Sequence, residues 1–129
     1  MRECCTFEAA ILRVVPRVER QEFLNVGVLL SCPQHDFLDA RIQLDRARLQ
    51  AFASSIDPDF IEEHLQTIPL ICAGGEAAGP IGKLSQRARF YWLTAPRSTM
   101  IQCSEVHSGL CRNPETALQQ IFERMVGTL

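Results

Sequence analysis

A chain of 129 residues, 47% of them apolar, is long enough to bury one core without disulfides or a structural metal, which sets the expectation of a single domain over residues 1–129. Its net charge of −2 excludes the strong cationic field on which non-specific nucleic-acid binding depends, so nucleic acid is disfavoured as a partner. The thirteen cations are twelve arginines and one lysine, scattered along the chain, a bias that base composition explains better than a binding patch does.

No apolar run approaches the roughly 20 residues of a membrane span. The run Ala9 to Val15 is short, is interrupted by Arg13 and lacks a small-residue cleavage site, so no secretory pattern is read there. A cytoplasmic protein is the expectation, with Cys4, Cys5, Cys32, Cys72, Cys103 and Cys111 as thiols in a reducing compartment.

Residues 6 to 15 read as a central strand, with Phe7, Ala9 and Ile11 on one face and Ala10, Leu12 and Val14 on the other, ended by Pro16. From Leu24, the set Leu24, Val26, Val28, Leu30 and Cys32 alternates with Asn25, Gly27, Leu29 and Ser31, and the first set is expected to face the core. A turn at Pro33 to Asp36 leads into Phe37 to Leu44, where Leu38, Ala40, Ile42 and Leu44 oppose Asp39, Arg41 and Gln43. Three sequential strands with short connections favour an antiparallel meander.

Helical signals follow. Asp45 can cap a short helix carrying Leu49, Phe52, Ala53 and Ile56. Asp57-Pro58 pairs an N-cap with a first-position proline, and Phe60, Ile61, Leu65 and Ile68 form the buried stripe before Pro69 disturbs the end. Residues 73 to 82, with four glycines and a proline, read as a loop. Ser85 caps a third short helix carrying Tyr91 and Trp92, Ala95-Pro96-Arg97 breaks it, and Ser98 to Cys103 reads as a fourth strand. Asn113-Pro114 repeats the cap-plus-proline pattern before a final helix with Leu118, Ile121, Phe122 and Met125 as its apolar stripe. The fold class expected is α+β: an antiparallel sheet of about four strands, the N-terminal three-strand meander plus a later strand, packed with three to four helices.

Among stretches that could carry chemistry, the glycine loop at 74 to 82 fails as a phosphate cradle. Lys83 is not followed by Ser or Thr, and the segment follows a helix where the nucleotide fingerprints require a strand. Cys32-x2-His35 and Cys103-x3-His107-x3-Cys111 supply thiolate and imidazole but no paired Cys-x2-Cys, so no metal site is expected, and no cofactor. His64 reads as a packed, hydrogen-bonded histidine beside its helix's apolar stripe. No Gly-x-Ser-x-Gly nucleophile pattern occurs, although Cys103, Cys111, Ser98, Ser108 and His107 share one stretch.

The strongest candidate is the polar segment Arg17-Val18-Glu19-Arg20-Gln21-Glu22 between two apolar runs. Arg17, Arg20 and Arg97 could form a carboxylate or phosphate fork, with Glu22 orienting one guanidinium and Asn25 offering donor and acceptor. Asn25 points away from the Leu24 set, and Gly27 is expected to remove bulk on that same face, leaving room for a ligand or a backbone. With Arg97-Ser98-Thr99 and His107 the candidate ligand-binding set becomes Arg17, Glu22, Asn25, Arg97, Ser98, Thr99 and His107. The plainer reading is a surface Glu–Arg pair at a solvated turn, worth under about 1 kcal/mol.

These residues also carry a resemblance. Arg13-Val14-Val15-Pro16-Arg17, Glu22 to Val28, Gly79-Pro80-Ile81-Gly82, Arg89-Phe90-Tyr91-Trp92-Leu93, Ala95 to Thr99 and Val106-His107-Ser108-Gly109-Leu110 together resemble the bacterial family called domain of unknown function 3037, over nearly the whole chain. The resemblance implies no established activity. It implies an accessory role with a HipA-like kinase, since members are often encoded beside a protein of that type. Cys103 and His35 depart from the family pattern and weaken zinc, whereas Asn25, Arg97 and His107 fall within its motifs. Two functional readings follow: a non-catalytic binding or accessory module acting with a protein partner, or an enzyme or small-ligand binder with an anion pocket.

Overall fold

The computed structural model describes residues 4–97 and 99–127. Cys5–Val14 (β1), Leu24–Cys32 (β2) and Phe37–Ile42 (β3) pair antiparallel in sequence order, the expected meander. Along the other side of β1 lie Ile101–Cys103 (β4) and His107–Cys111 (β5), end to end, completing a five-stranded antiparallel sheet. The helices are Arg46–Phe52 (α1), Pro58–Ala73 (α2), Gln86–Thr94 (α3) and Pro114–Met125 (α4). The protein is therefore α+β, with one later strand more than the chain's patterning announced. Ser98, placed by that patterning at the start of the fourth strand, lies outside the described residues, and β4 begins at Ile101.

Each helix starts where its capping residue predicts. The Asp45 side chain accepts from the Arg48 N–H at 3.1 Å, Asp57 from Asp59 at 3.0 Å and Ser85 from Ala88 at 3.1 Å. Asn113 accepts from both Glu115 and Thr116, at 3.0 and 3.3 Å. Such caps satisfy N–H groups that lack intrahelical partners and are worth about 0.5–2 kcal/mol each.

Helices cover both faces of the sheet. On one, Leu49 of α1, Ile61, Leu65 and Ile68 of α2, and Phe90 and Leu93 of α3 pack on Leu12, Val14, Val26, Leu29, Leu38 and Ala40. On the other, Leu118 of α4 closes over Ala9, Ile11, Val28, Leu30 and Cys32, with Phe7, Ile121 and Phe122 at the margin. This is why β1 is apolar on both faces.

Three expectations are corrected. Within β2, Arg13 pairs with Asn25 and Leu12 with Gly27, so Val26 is an extra, bulged residue. The bulge turns the strand over: Leu24 and Val26 face α1–α3, whereas Val28, Leu30 and Cys32 face α4, and the five do not share a face. The stripe of α2 runs through Pro69 to Ala73, because Ile68, Ile71 and Cys72 are buried on either side of the proline, and Phe60 stands 45% exposed. The segment read as a loop contains a 3-10 turn, Glu76–Lys83, broken at Gly79 where φ is 70°.

A second irregularity joins β4 to β5. Leu12 pairs with Cys103 and Ala9 with His107, so Ala10 and Ile11 face three residues, 104 to 106. Ser104 fills this bulge with its side chain: its N–H donates to the Ile11 carbonyl and its Oγ accepts the Ile11 N–H, both at 2.8 Å. The hydroxyl in turn donates to the Glu105 carbonyl at 2.9 Å. A buried hydroxyl thus stands in for a ladder carbonyl.

Candidate functional site

Past β1, Pro16 and Arg17 enter a 3-10 turn at Val18–Arg20, closed by the Arg20 N–H donating to the Arg17 carbonyl at 3.1 Å. Gln21, at φ 58°, reverses the chain toward β2. This hook and the residues following α1 enclose a concavity of about 390 Å3 lined by Arg17, Arg20, Glu22, Ser54, Ser55 and Phe52 among others. Arg20 Nε meets Glu22 Oε1 at 2.7 Å with both side chains more than half exposed, so the pair contributes little to stability. Arg17 makes no ion pair among the described residues. Arg17, Arg20, Ser54 and Ser55 line the concavity together with the Glu22 carboxylate, and the arginines and serines are donors of the kind suited to carboxylate or phosphate oxygens.

Arg97 lies elsewhere. Its guanidinium donates to the Trp92 and Leu93 carbonyls and lies 4.3 Å over the Trp92 ring. A cation at the C-terminus of α3 satisfies orphan carbonyls and opposes the helix dipole. With Thr99, Trp92, His64, Thr67 and Cys103 it lines a smaller groove of about 200 Å3 between α2, α3 and β4. His64 Nδ1 bonds the Phe60 carbonyl at 2.9 Å, and its ring lies 4.3 Å from that of Phe60. The Cys103 thiol donates to the Leu93 carbonyl at 3.3 Å, and burial pushes its pKa up to about 11.

Asn25 faces α4, where its amide donates to the Met125 carbonyl at 3.2 Å; its Oδ1 is buried without a partner, as is Nε of its cross-strand neighbour Arg13. The Arg13 guanidinium lies 4.0 Å from the Phe23 ring centroid. Gly27 turns to the opposite face, against Leu12 and Ile42, so it opens no space beside Asn25. His107 is exposed on β5, opposite Ala9. The structure thus brings together Arg17 and Glu22 in one concavity and Arg97 and Thr99 in another, with Asn25 and His107 apart from both; Ser98 falls outside the described residues.

Cys4, Cys32, Cys72, Cys103 and Cys111 are free thiols, and among the described residues no group of three His, Cys, Asp or Glu side chains could hold a metal ion. Burial raises the thiols of Cys72 to about 12 and Cys111 to about 11, Cys111 also by its neighbour Cys32. Raised thiols are poor nucleophiles at neutral pH. In the glycine segment the Gly75 N–H donates to the Gly82 carbonyl at 3.0 Å and the Ala78 N–H to the Gly75 carbonyl at 3.2 Å, so donors an anion would need are spent within the turn.

One polar cluster escaped the reading of the chain. Arg87 of α3 bonds Glu8 of β1, Ser31 of β2 and the Tyr91 hydroxyl, the last two at 3.1 and 3.0 Å. Burial works against its charge, but the bonds to Glu8 and Tyr91 prevail and hold its pKa above the ordinary arginine value. Two signals were available: a carboxylate on an otherwise apolar central strand, and Arg87 one helical turn from Tyr91. Arg89 was likewise missed. It donates to the Leu84 carbonyl at 2.7 Å and the Cys72 carbonyl at 3.3 Å, tying α3 to the end of α2.

Fold and site define an α+β protein whose antiparallel sheet carries helices on both faces. The chain belongs to the family described as protein of unknown function DUF3037, whose model matches residues 10–126. No curated protein and no solved structure matches it. Among the described residues, no helix is long and apolar enough to cross a membrane.

Proposed function

We propose that this protein is a non-catalytic binding or accessory module, one folding unit acting in the cytoplasm with a protein partner. The observation that carries this reading is the exposure of aromatic side chains on α2 and α3, where Phe60, Tyr91 and Trp92 stand 45%, 57% and 40% exposed. Trp92 is held beneath Arg97 at the mouth of the α2–α3–β4 groove. Trp, Tyr and Arg dominate binding hot spots, and an aromatic fixed in place loses little entropy on binding. The groups a catalyst would use are committed otherwise: Arg97 to carbonyls, His64 Nδ1 to Phe60, and the buried thiols to their protonated forms. The family resemblance makes a HipA-like kinase encoded alongside the first partner to try. Co-expression with that kinase and capture through a tag on one chain should retain both, and Trp92→Ala should weaken the complex about tenfold or more. Separate elution of the two wild-type chains overturns the reading.

A second reading, a small-anion binder, draws support from Arg17, Arg20, Ser54 and Ser55 lining one concavity. Phosphate or citrate at millimolar concentration should then raise the melting temperature of the wild type but not of an Arg17→Ala, Arg20→Ala double variant. Equal responses in the two proteins would assign the effect to general ion stabilisation.

A further inference from the structure

β5 is a sheet edge. It pairs with β1 on one side, and among the described residues nothing pairs with the other. Natural edge strands are blunted by lysine, proline or inward charge, yet His107-Ser108-Gly109-Leu110-Cys111 carries none of these. Leu110 is 70% exposed, the most of any large apolar side chain described, and Val106 just before the strand is 38% exposed.

The backbone along this edge is oriented for pairing. Both the N–H and the carbonyl of Ile11 face Ser104, so the alternation of β1 turns the same groups of Ala9, Phe7 and Cys5 toward their partners His107, Gly109 and Cys111. Ser108 and Leu110 consequently present theirs outward. We propose that this edge pairs antiparallel with β5 of a second copy of the chain, across a two-fold axis at Ser108, joining two sheets into one.

The register follows from the side chains. A two-fold axis normal to the sheet keeps like faces together, so the pairing centres on a residue. Centred on Ser108, it sets Leu110 opposite the second copy's Val106, and by symmetry the reverse, so that each copy's exposed apolar pair is covered. Centred on Gly109 instead, Leu110 would meet Ser108 and Val106 would meet Arg112, leaving both apolar side chains without apolar partners. This self-complementarity favours a second copy over an unrelated extended peptide.

Sedimentation equilibrium of the wild-type chain from about 1 to 100 μM should show a dimer, and Leu110→Lys should weaken it at least tenfold with an unchanged far-ultraviolet circular dichroism spectrum. The register is tested by Ser108→Cys in a Cys4→Ser background treated with a short bismaleimide. A covalent dimer joined through the two residues at position 108 is expected, and none from Gln50→Cys on α1 in the same background. A wild-type monomer across the whole concentration range overturns the proposal, as does a dimer in which position 108 does not cross-link.

Discussion

Gly27→Val is expected to destabilise the protein by about 3 kcal/mol, measured as a fall in the urea midpoint at an unchanged slope. A Cβ at residue 27 would stand 2.7 Å from the Arg41 carbonyl oxygen and 3.1 Å from side-chain carbons of both Ile42 and Leu12. The first of these is backbone of β3, held in the ladder that pairs Gly27 with Ile42, so it cannot rotate aside as a side-chain end could. Valine adds two further carbons in a core layer where Leu12 is 1% exposed. Relief requires β2 and β3 to part beside the bulge. Gly27→Ala meets the same carbonyl with less bulk and should cost about half as much. A loss below about 1 kcal/mol for the valine variant would mean that the bulge can slide to absorb the side chain.

The same glycine shows where legibility ended. Alternation from Leu24 to Cys32 is unbroken on paper, but a bulge inserts one residue without a residue type that marks it, because apolar side chains suit both covered faces of this sheet. Asn25 and Gly27 were therefore assigned to one face when they lie on two. By contrast β1 was legible, since apolar residues at successive positions demand cover on both sides, and all four helix starts were legible because Asp, Ser and Asn act on N–H groups two or three residues away. β5 was not. It holds a single large apolar residue and owes its strand form to the free edge of β1 and to the Phe7 ring, which lies 2.5 Å from where a Gly109 Cβ would be.

Within the candidate site, Arg17 and Glu22 met because they are neighbours in the chain. Ser54 and Ser55 joined them only through tertiary packing, which no local pattern encodes. The position of Arg97 stood out, but its role did not. A cation just past a helix can bind a ligand or close the helix, and the choice depended on whether Trp92 and Leu93 offered their carbonyls.

The second large effect separates fold from function on α3. Phe90→Ala is expected to cost about 3–5 kcal/mol, lowering the melting temperature by roughly 10–20 °C. Phe90 is fully buried, packs with Leu12, Leu65 and Leu93 in the larger core, and has the Arg87 guanidinium 5.3 Å from its ring centroid. Its removal leaves a cavity at the point where α3 is anchored, and it loosens the arginine that ties the helix to Glu8 and Ser31. Two residues along, Trp92 points to the surface, and Trp92→Ala should cost about 1 kcal/mol or less, mostly through its stacking with Arg97. If the exposed Trp92 binds a partner, Trp92→Ala loses the complex while keeping the melt, whereas Phe90→Ala loses the melt and, below its own midpoint, retains part of the binding. Both variants losing affinity only in proportion to stability would mean that α3 serves the core alone.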